Sequence, residues 1–215
     1  MDNKSFKLAC SLRLGSDICQ NHTCICGMEV ERDGAHGLSC KNSAGRQARH
    51  SQVNELIKRA LVAGGTNAIR EPPGLSRVDG KRPDGMSLYS WKVGKPLLWD
   101  FTCGDTLAPS YVEQSSKEAG KVASNAETTK IRHYAHLEND FVFVPVCIET
   151  LGAWGKDGLK LINEIGKLTT QQSGDIKSTS YLFQSIGMAV QRGNVMSILG
   201  TIPQDKEAME EIYYL

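Results

Sequence analysis

The sequence predicts an α/β fold, a mixed central sheet flanked by helices, preceded by a small module rich in cysteine and histidine. Three observations lead there. Residues 1–44 are dense in Cys, Gly, His and Asn without sustained periodicity, which reads as loops held together by side-chain chemistry. Behind them, helix-period and strand-like segments follow in the order helix, three strands, helix, strand, two helices. The run FVFVPVCI at 141–148 is β-rich and apolar throughout, as a buried strand requires.

Taken in order, Val53, Leu56, Ile57, Ala60 and Leu61 recur at helical spacing, so a helix is expected over 45–63, stopped by Gly64-Gly65. Extended segments at 67–71, 82–91 and 96–103 are separated by Pro72-Pro73-Gly74, Asp79-Gly80 and Gly94, the pattern of an antiparallel meander. A long Ala-rich helix is expected over 115–137, and two more over 158–168 and 179–192. Pro145 brings no amide to a ladder, which points to an edge position or a bulge for its strand. The expected organisation is a module at 1–44, an α/β domain at 45–203 and an acidic, frayed tail at 204–215.

A chain of 215 residues with 40% apolar content can bury one good core. No run approaches the roughly 18 to 20 apolar residues of a membrane helix, and MDNKSFKLAC lacks the basic-then-apolar pattern of a signal peptide, so an intracellular protein without membrane partners is expected. The seven cysteines fit that setting, since an odd number with three crowded near two histidines suggests metal binding over disulfides. Cys103 and Cys147 lie in apolar runs and read as small buried hydrophobes. Net charge is only +1, but residues 1–95 hold 15 Lys+Arg against 9 Asp+Glu, whereas 96–215 hold 10 against 15. A basic face in the first half can meet phosphates; a solvated surface gives the same count.

Cys24, Cys26, His36 and Cys40 lie within seventeen residues and match the four thiolate or imidazole ligands that zinc takes in a tetrahedron. Glycines at 27, 34 and 37 let the backbone converge them, and Cys19 or His22 is an alternative fourth ligand. Four protein ligands leave no open position for water, so the expected role of the zinc is structural.

Asp84 opens one predicted strand and Asp100 follows the apolar Leu97-Leu98-Trp99 in the next. On neighbouring strands both carboxylates can face one side and hold Mg²⁺ or Mn²⁺, ions suited to phosphodiester hydrolysis. The plainer alternatives are a turn at Asp84 and a strand cap at Asp100. On the following helix, Lys130 and Tyr134 share a narrow stripe with Ala119, Ala123 and Ala126. An inward lysine needs a carboxylate partner or an outlet to water, and a nuclease uses such an ammonium at the phosphorane; a snorkelling surface lysine is the rival explanation. On the first helix of the α/β domain, Arg49 and His50 lie inward and Asn54 near the margin, as candidate contacts to a nucleic-acid backbone. An inward His is also a common core residue. Glu71, Thr102 and Glu149 remain open as further site residues, Glu71 as ligand, cap or surface charge.

HTCICG, GAHGLSC, GRQARH, EPPGL, DGKRPDG, WDFTCGDTLA, KIRHY and FVPVCIET, in that order, resemble the restriction-like endonuclease region of non-LTR retrotransposon reverse transcriptases over residues 12–201. The resemblance implies a PD-(D/E)XK core with a Cys-Cys-His-Cys zinc knuckle at Cys24, Cys26, His36 and Cys40. It also implies an Arg-His signature at Arg49-His50, acidic positions at Asp84 and Asp100, and a lysine-tyrosine element at Lys130 and Tyr134. The activity implied is Mg²⁺-dependent DNA nicking in the nucleus, with RNA a second partner of the knuckle. Thr102 stands where the generic fold places lysine, so Lys130 must supply the cation. His133 replaces a second lysine, a departure consistent with a slower or inactive copy. The alternatives are therefore a non-catalytic nucleic-acid-binding remnant of a mobile element and, more weakly, a zinc hydrolase.

Overall fold

In the computed structural model, which describes residues 1–76 and 80–202, the chain forms a four-stranded mixed sheet flanked by helices, with a two-stranded sheet near the N-terminus. The N-terminal segment is more regular than expected. Asn3–Leu14 forms helix α1, capped by the Asp2 carboxylate on Ser5 N and closed by left-handed Gly15. Only Leu8, Ala9 and Leu12 of α1 are buried, too short an apolar stripe to announce a helix in sequence. Packing on distant residues supplies the rest.

Strands β1 (His22–Thr23) and β2 (Glu29–Val30) make a small hairpin, followed by one helical turn, α2 (His36–Ser39). Helix α3 (Ala44–Ala63) agrees with the periodicity to one residue. Strands β3 (Ala68–Arg70), β4 (Gly85–Lys92) and β5 (Lys95–Gly104) form the expected antiparallel meander, and β6 (Val142–Glu149) joins β5 in parallel. The order is β3-β4-β5-β6, so β6 is an edge strand, as the missing amide of Pro145 requires.

The helix expected at 115–137 is corrected to α5 (Lys121–Tyr134) with a 3₁₀ turn at Ala135–Leu137, and a separate helical turn, α4 (Val112–Ser115), ends where it was expected to start. Gly120, at φ 82°, breaks the chain ahead of α5. The buried Glu149 carboxylate then caps α5, accepting from Val122 N at 2.9 Å and Ala123 N at 3.3 Å. Helices α6 (Lys156–Ser173) and α7 (Ser178–Leu199) run longer than their periodicity suggested. Glu127 of α5, accepting from Gly158 N at 2.9 Å, ties α5 to the start of α6. The Asp79 part of the expected turn, and the tail at 204–215, lie outside the described residues.

The main core joins Val53, Ile57 and Leu61 of α3 to Leu97, Trp99 and Phe101 of β5, Val146 and Ile148 of β6, and apolar residues of α6 and α7. Helix α5 covers the opposite face of β5 and β6. A second cluster joins Leu8, Leu12, Ile18 and Leu38 to Val195 and Ile198 of α7. Its close approach depends on two glycines: a Cβ on Gly37 would lie 2.8 Å from Ile198 Cα, and one on Gly45 would lie 2.3 Å from Ser197 N. The cysteine-bearing segment is thus pressed against the last helix of the α/β body.

Gly85 sets the sheet where the candidate site begins. A Cβ there would fall 2.0 Å from Cζ2 of Trp99, whose ring is fully buried and anchored by its Nε1 donating to Asn54 Oδ1 at 3.0 Å. Gly85→Ala should therefore destabilise the protein by about 3 kcal/mol, the cost of overpacking a ring that cannot retreat. Urea unfolding measures this; a change under about 0.5 kcal/mol would show the indole to be movable.

Candidate active site and metal centre

The larger site forms because β4 is short. Gly85 is its first residue and pairs with Trp99, so β5 beyond Trp99 has β6 on one side and no β4 partner on the other. Asp84 takes over where the ladder stops. Its backbone N–H donates to Trp99 O at 3.0 Å, and its Oδ2 accepts from Phe101 N at 2.7 Å. The side chain thus replaces the missing strand as acceptor for a buried amide. The turn reading of Asp84 gives way to this one.

Asp100, on the α5 face of β5, is ion-paired with Lys130 of α5, both side chains largely buried. Of the two explanations for Lys130, the carboxylate partner is the one found. The Asp84 and Asp100 carboxyls lie near enough for the charge of one to act on the other. Burial first, then the Asp84 charge and hydrogen bond, push Asp100 up to about 6 against the pull of Lys130. For Asp84 burial is again the largest single influence and raises it, but the His50 hydrogen bond and charge, the Phe101 amide and the Asn54 amide together hold it below the ordinary range.

His50 Nε2 lies 3.0 Å from Asp84 Oδ2, and the ring packs near Phe101. Its tautomer follows from a chain of donors. Trp99 Nε1 can only donate, so the Asn54 oxygen faces it and the Asn54 amide nitrogen must face His50 Nδ1, at 3.4 Å. In the neutral ring Nδ1 then accepts and Nε2 carries the proton toward Asp84; in the charged ring Nε2 still donates to Asp84. Asn54, expected near the margin as a backbone contact, is instead 1% exposed and works inside the protein. Arg49 is likewise buried, with Nη1 donating to Asn194 Oδ1 of α7, although its side chain lines the cleft. The periodicity located the inward face; it could not show that α7 and β5 would enclose it.

Tyr134 is buried with its ring 4.6 Å from that of Phe143, and it lines the same cleft, as does Thr102. Glu71 does not join the carboxylate pair through its side chain, which is ion-paired with Arg82 and exposed; its backbone, at φ 51°, donates to Asp84 O at 2.8 Å. Glu149 is the helix cap described above. The cleft encloses about 640 Å³ and carries Lys41, Arg46, Lys81 and Arg82 around the acidic pair. None of these four was singled out from sequence, although Lys81-Arg82 precede Pro83-Asp84 and Arg46 lies within GRQARH.

The acidic pair gives a pH-dependent prediction for protein without added divalent cation. Asp100 titrates higher in the folded chain than the ordinary carboxylate it becomes on unfolding, so its contribution to stability is present at low pH and lost as pH rises from about 4 to about 6. Asp100→Asn keeps the shape and removes the repulsion. Relative to the parent, the variant should gain on the order of 1 kcal/mol at pH 7 and nothing below pH 4. Thermal unfolding across that range checks the sign; a variant penalised equally at both pH values would refute it.

The second centre is the cysteine and histidine cluster. Cys24 Sγ and Cys40 Sγ lie 3.7 Å apart, Cys26 Sγ and His36 Nε2 lie 3.2 Å apart, and all four ligand atoms lie within 4.8 Å of one another. A tetrahedron with Zn–S bonds of about 2.3 Å puts its sulfurs about 3.8 Å apart, so these residues could hold a metal such as zinc. The β1-β2 turn presents Cys24 and Cys26, with Gly27 at φ 85°, and α2 spaces His36 from Cys40. Neither alternative ligand joins. The Cys19 thiol donates to Glu31 O at 3.5 Å, and His22 is held by Gln20 O at 2.9 Å and Thr201 Oγ1 at 3.0 Å. The two centres are linked: Arg46 donates to Ser39 O at 3.0 Å and Cys40 O at 3.3 Å, and Lys41, next to the last ligand, lines the cleft.

No protein-family model and no curated protein matches the sequence. Among the described residues no helix is long and apolar enough to cross a membrane.

Proposed function

We propose that this chain is a Mg²⁺-dependent DNA endonuclease with a PD-(D/E)XK, restriction-endonuclease-like core, of the kind carried by non-LTR retrotransposons, and that its cysteine and histidine cluster is a structural zinc knuckle. One juxtaposition carries the reading: Asp84 and Asp100 lining one cleft, with Lys130 paired to Asp100 and Lys41, Arg46, Lys81 and Arg82 at its rim. Two neighbouring carboxyls offer the hard oxygen donors that Mg²⁺ or Mn²⁺ takes, and they repel each other without a cation. Such an ion supplies Lewis-acid polarisation of a phosphoryl oxygen and a more acidic water.

The protein groups then have separate tasks. Asp84 and Asp100 hold the cation, and His50 with the Phe101 amide fixes the orientation of Asp84. Lys130 stabilises negative charge developing on the phosphorane, in the place where the generic fold uses a lysine and this chain has Thr102. Tyr134 positions water or phosphate at the cleft wall. The basic rim binds the DNA backbone in a salt-dependent way with little sequence preference, and the knuckle adds contacts to DNA or RNA. A nuclear location accords with a DNA substrate. The test is nicking of supercoiled plasmid with Mg²⁺ or Mn²⁺, lost in Asp84→Ala and Lys130→Ala; binding by all three proteins with no cleavage would establish the non-catalytic remnant instead.

A further inference from the structure

A second groove, of about 810 Å³, runs between α3 and α7 and ends at Arg70 of β3. Its charge is one-sided: Arg59, Arg70 and Arg192 face a single carboxylate, Glu55. Arg59 Nε donates to Glu55 at 2.9 Å, and Arg70 approaches the other oxygen at 3.7 Å, so one acidic residue holds two guanidinium groups in place. Arg70 also donates to Ser51 Oγ at 3.1 Å, while its Nε is buried without an acceptor. Arg192 forms no ion pair among the described residues, and Tyr181 stands half-exposed at the rim. A groove with surplus guanidinium charge and neutral hydroxyl donors suits a phosphate-bearing ligand.

The position of the groove narrows the ligand. Helix α3 supplies both sites, with Arg46, Gln47 and His50 toward the carboxylate cleft and Ser51, Glu55 and Arg59 toward the groove. From His50 to Arg59 the helix rises about 13 Å, at 1.5 Å per residue. Duplex DNA advances about 3.4 Å per base pair, so that span corresponds to about four base pairs.

We infer that α3 is a track for duplex DNA and that the Arg59–Arg70–Arg192 groove binds backbone phosphates about four base pairs from the phosphodiester held at Asp84 and Asp100. The inference rests on reading the cleft as a phosphodiester site. It assigns the substrate class as a continuous duplex flank extending past the cut, gripped through its phosphates without base readout.

The test compares wild type with the double variant Arg59→Gln, Arg192→Gln, after matching thermal stability, using a 24-base-pair duplex. Affinity is measured across a salt series without divalent cation, so that nothing is cut, and plasmid nicking with Mg²⁺ is measured separately. The variant should bind the 24-base-pair duplex roughly tenfold more weakly, and its log-log salt slope should fall by about 2, one unit for each phosphate that is no longer neutralised. An unchanged slope, or a wild-type protein that does not bind duplex, overturns the inference, and an acidic protein as the true occupant gives that first result. Nicking distinguishes the two proposals: a reduced slope in a protein that never nicks keeps the track and removes the nuclease, whereas an unchanged slope with normal nicking does the opposite.

Discussion

Asp84→Ala should lower plasmid nicking by at least about a thousandfold, and Lys130→Ala by roughly a hundred- to a thousandfold. The ranking follows from what each group touches. In the proposed reaction Asp84 would ligate the cation, and in the structure it is the acceptor for Phe101 N and the partner of His50, so alanine removes a proposed oxygen ligand, exposes a buried amide and frees a ring. Asp84→Asn separates these effects, because an amide oxygen can still accept from Phe101 N but offers the cation no charge. It should fold like the parent and remain inactive. Lys130 contributes charge alone, so Lys130→Arg should recover part of the activity, and Lys130→Ala should leave Asp100 less well compensated, with its carboxyl protonated at higher pH. Activity in Asp84→Asn within tenfold of wild type would remove Asp84 from the reaction.

Stripping the metal from the cysteine and histidine cluster should produce the largest structural effect in the molecule. Zinc-binding free energy in a small module is folding free energy, on the order of 10 kcal/mol in isolated fingers at neutral pH. Here the module is not isolated. Leu38 and Ile18 pack on Val195 and Ile198, and Gly37 abuts the α7 backbone, so unfolding of the knuckle uncovers the C-terminal half of α7. Lys41 and Arg46 are released from the cleft with it. A strong chelator, or Cys40→Ser, should lower the melting temperature by well over 10 °C and weaken DNA binding in parallel. Elemental analysis should find one zinc per chain. A chain that is fully folded and free of metal would end the zinc assignment.

The cluster of Cys24, Cys26, His36 and Cys40, which could hold a metal, was legible in the sequence because its four residues fall within seventeen positions, where chain geometry alone limits how far apart they can be. Helix α3 was legible because its apolar repeat is long enough to show a period, and the acidic pair because Asp84 directly precedes β4 and Asp100 lies within β5, neighbouring strands of one meander. What packing decides was not legible. The sequence left Cys19 and His22 as possible ligands; Thr201, 179 residues from His22, resolves the histidine by occupying its ring nitrogen. It put Asn54 at a margin, and the indole of Trp99 draws that amide inside. It started the helix at Ser115, whereas left-handed Gly120 and the carboxylate of Glu149 make α5 start at Lys121.

By itself, then, the sequence determined the cluster of candidate metal ligands, the order of elements and which carboxylates and lysine could share a site, all properties that reside in short stretches of chain. Only the tertiary structure decided which groups are enclosed, which atom each histidine nitrogen faces and where positive charge gathers. These depend on residues often more than a hundred positions apart, as with Arg49 and Asn194, and no local period or spacing encodes a contact between surfaces that meet only when the chain folds.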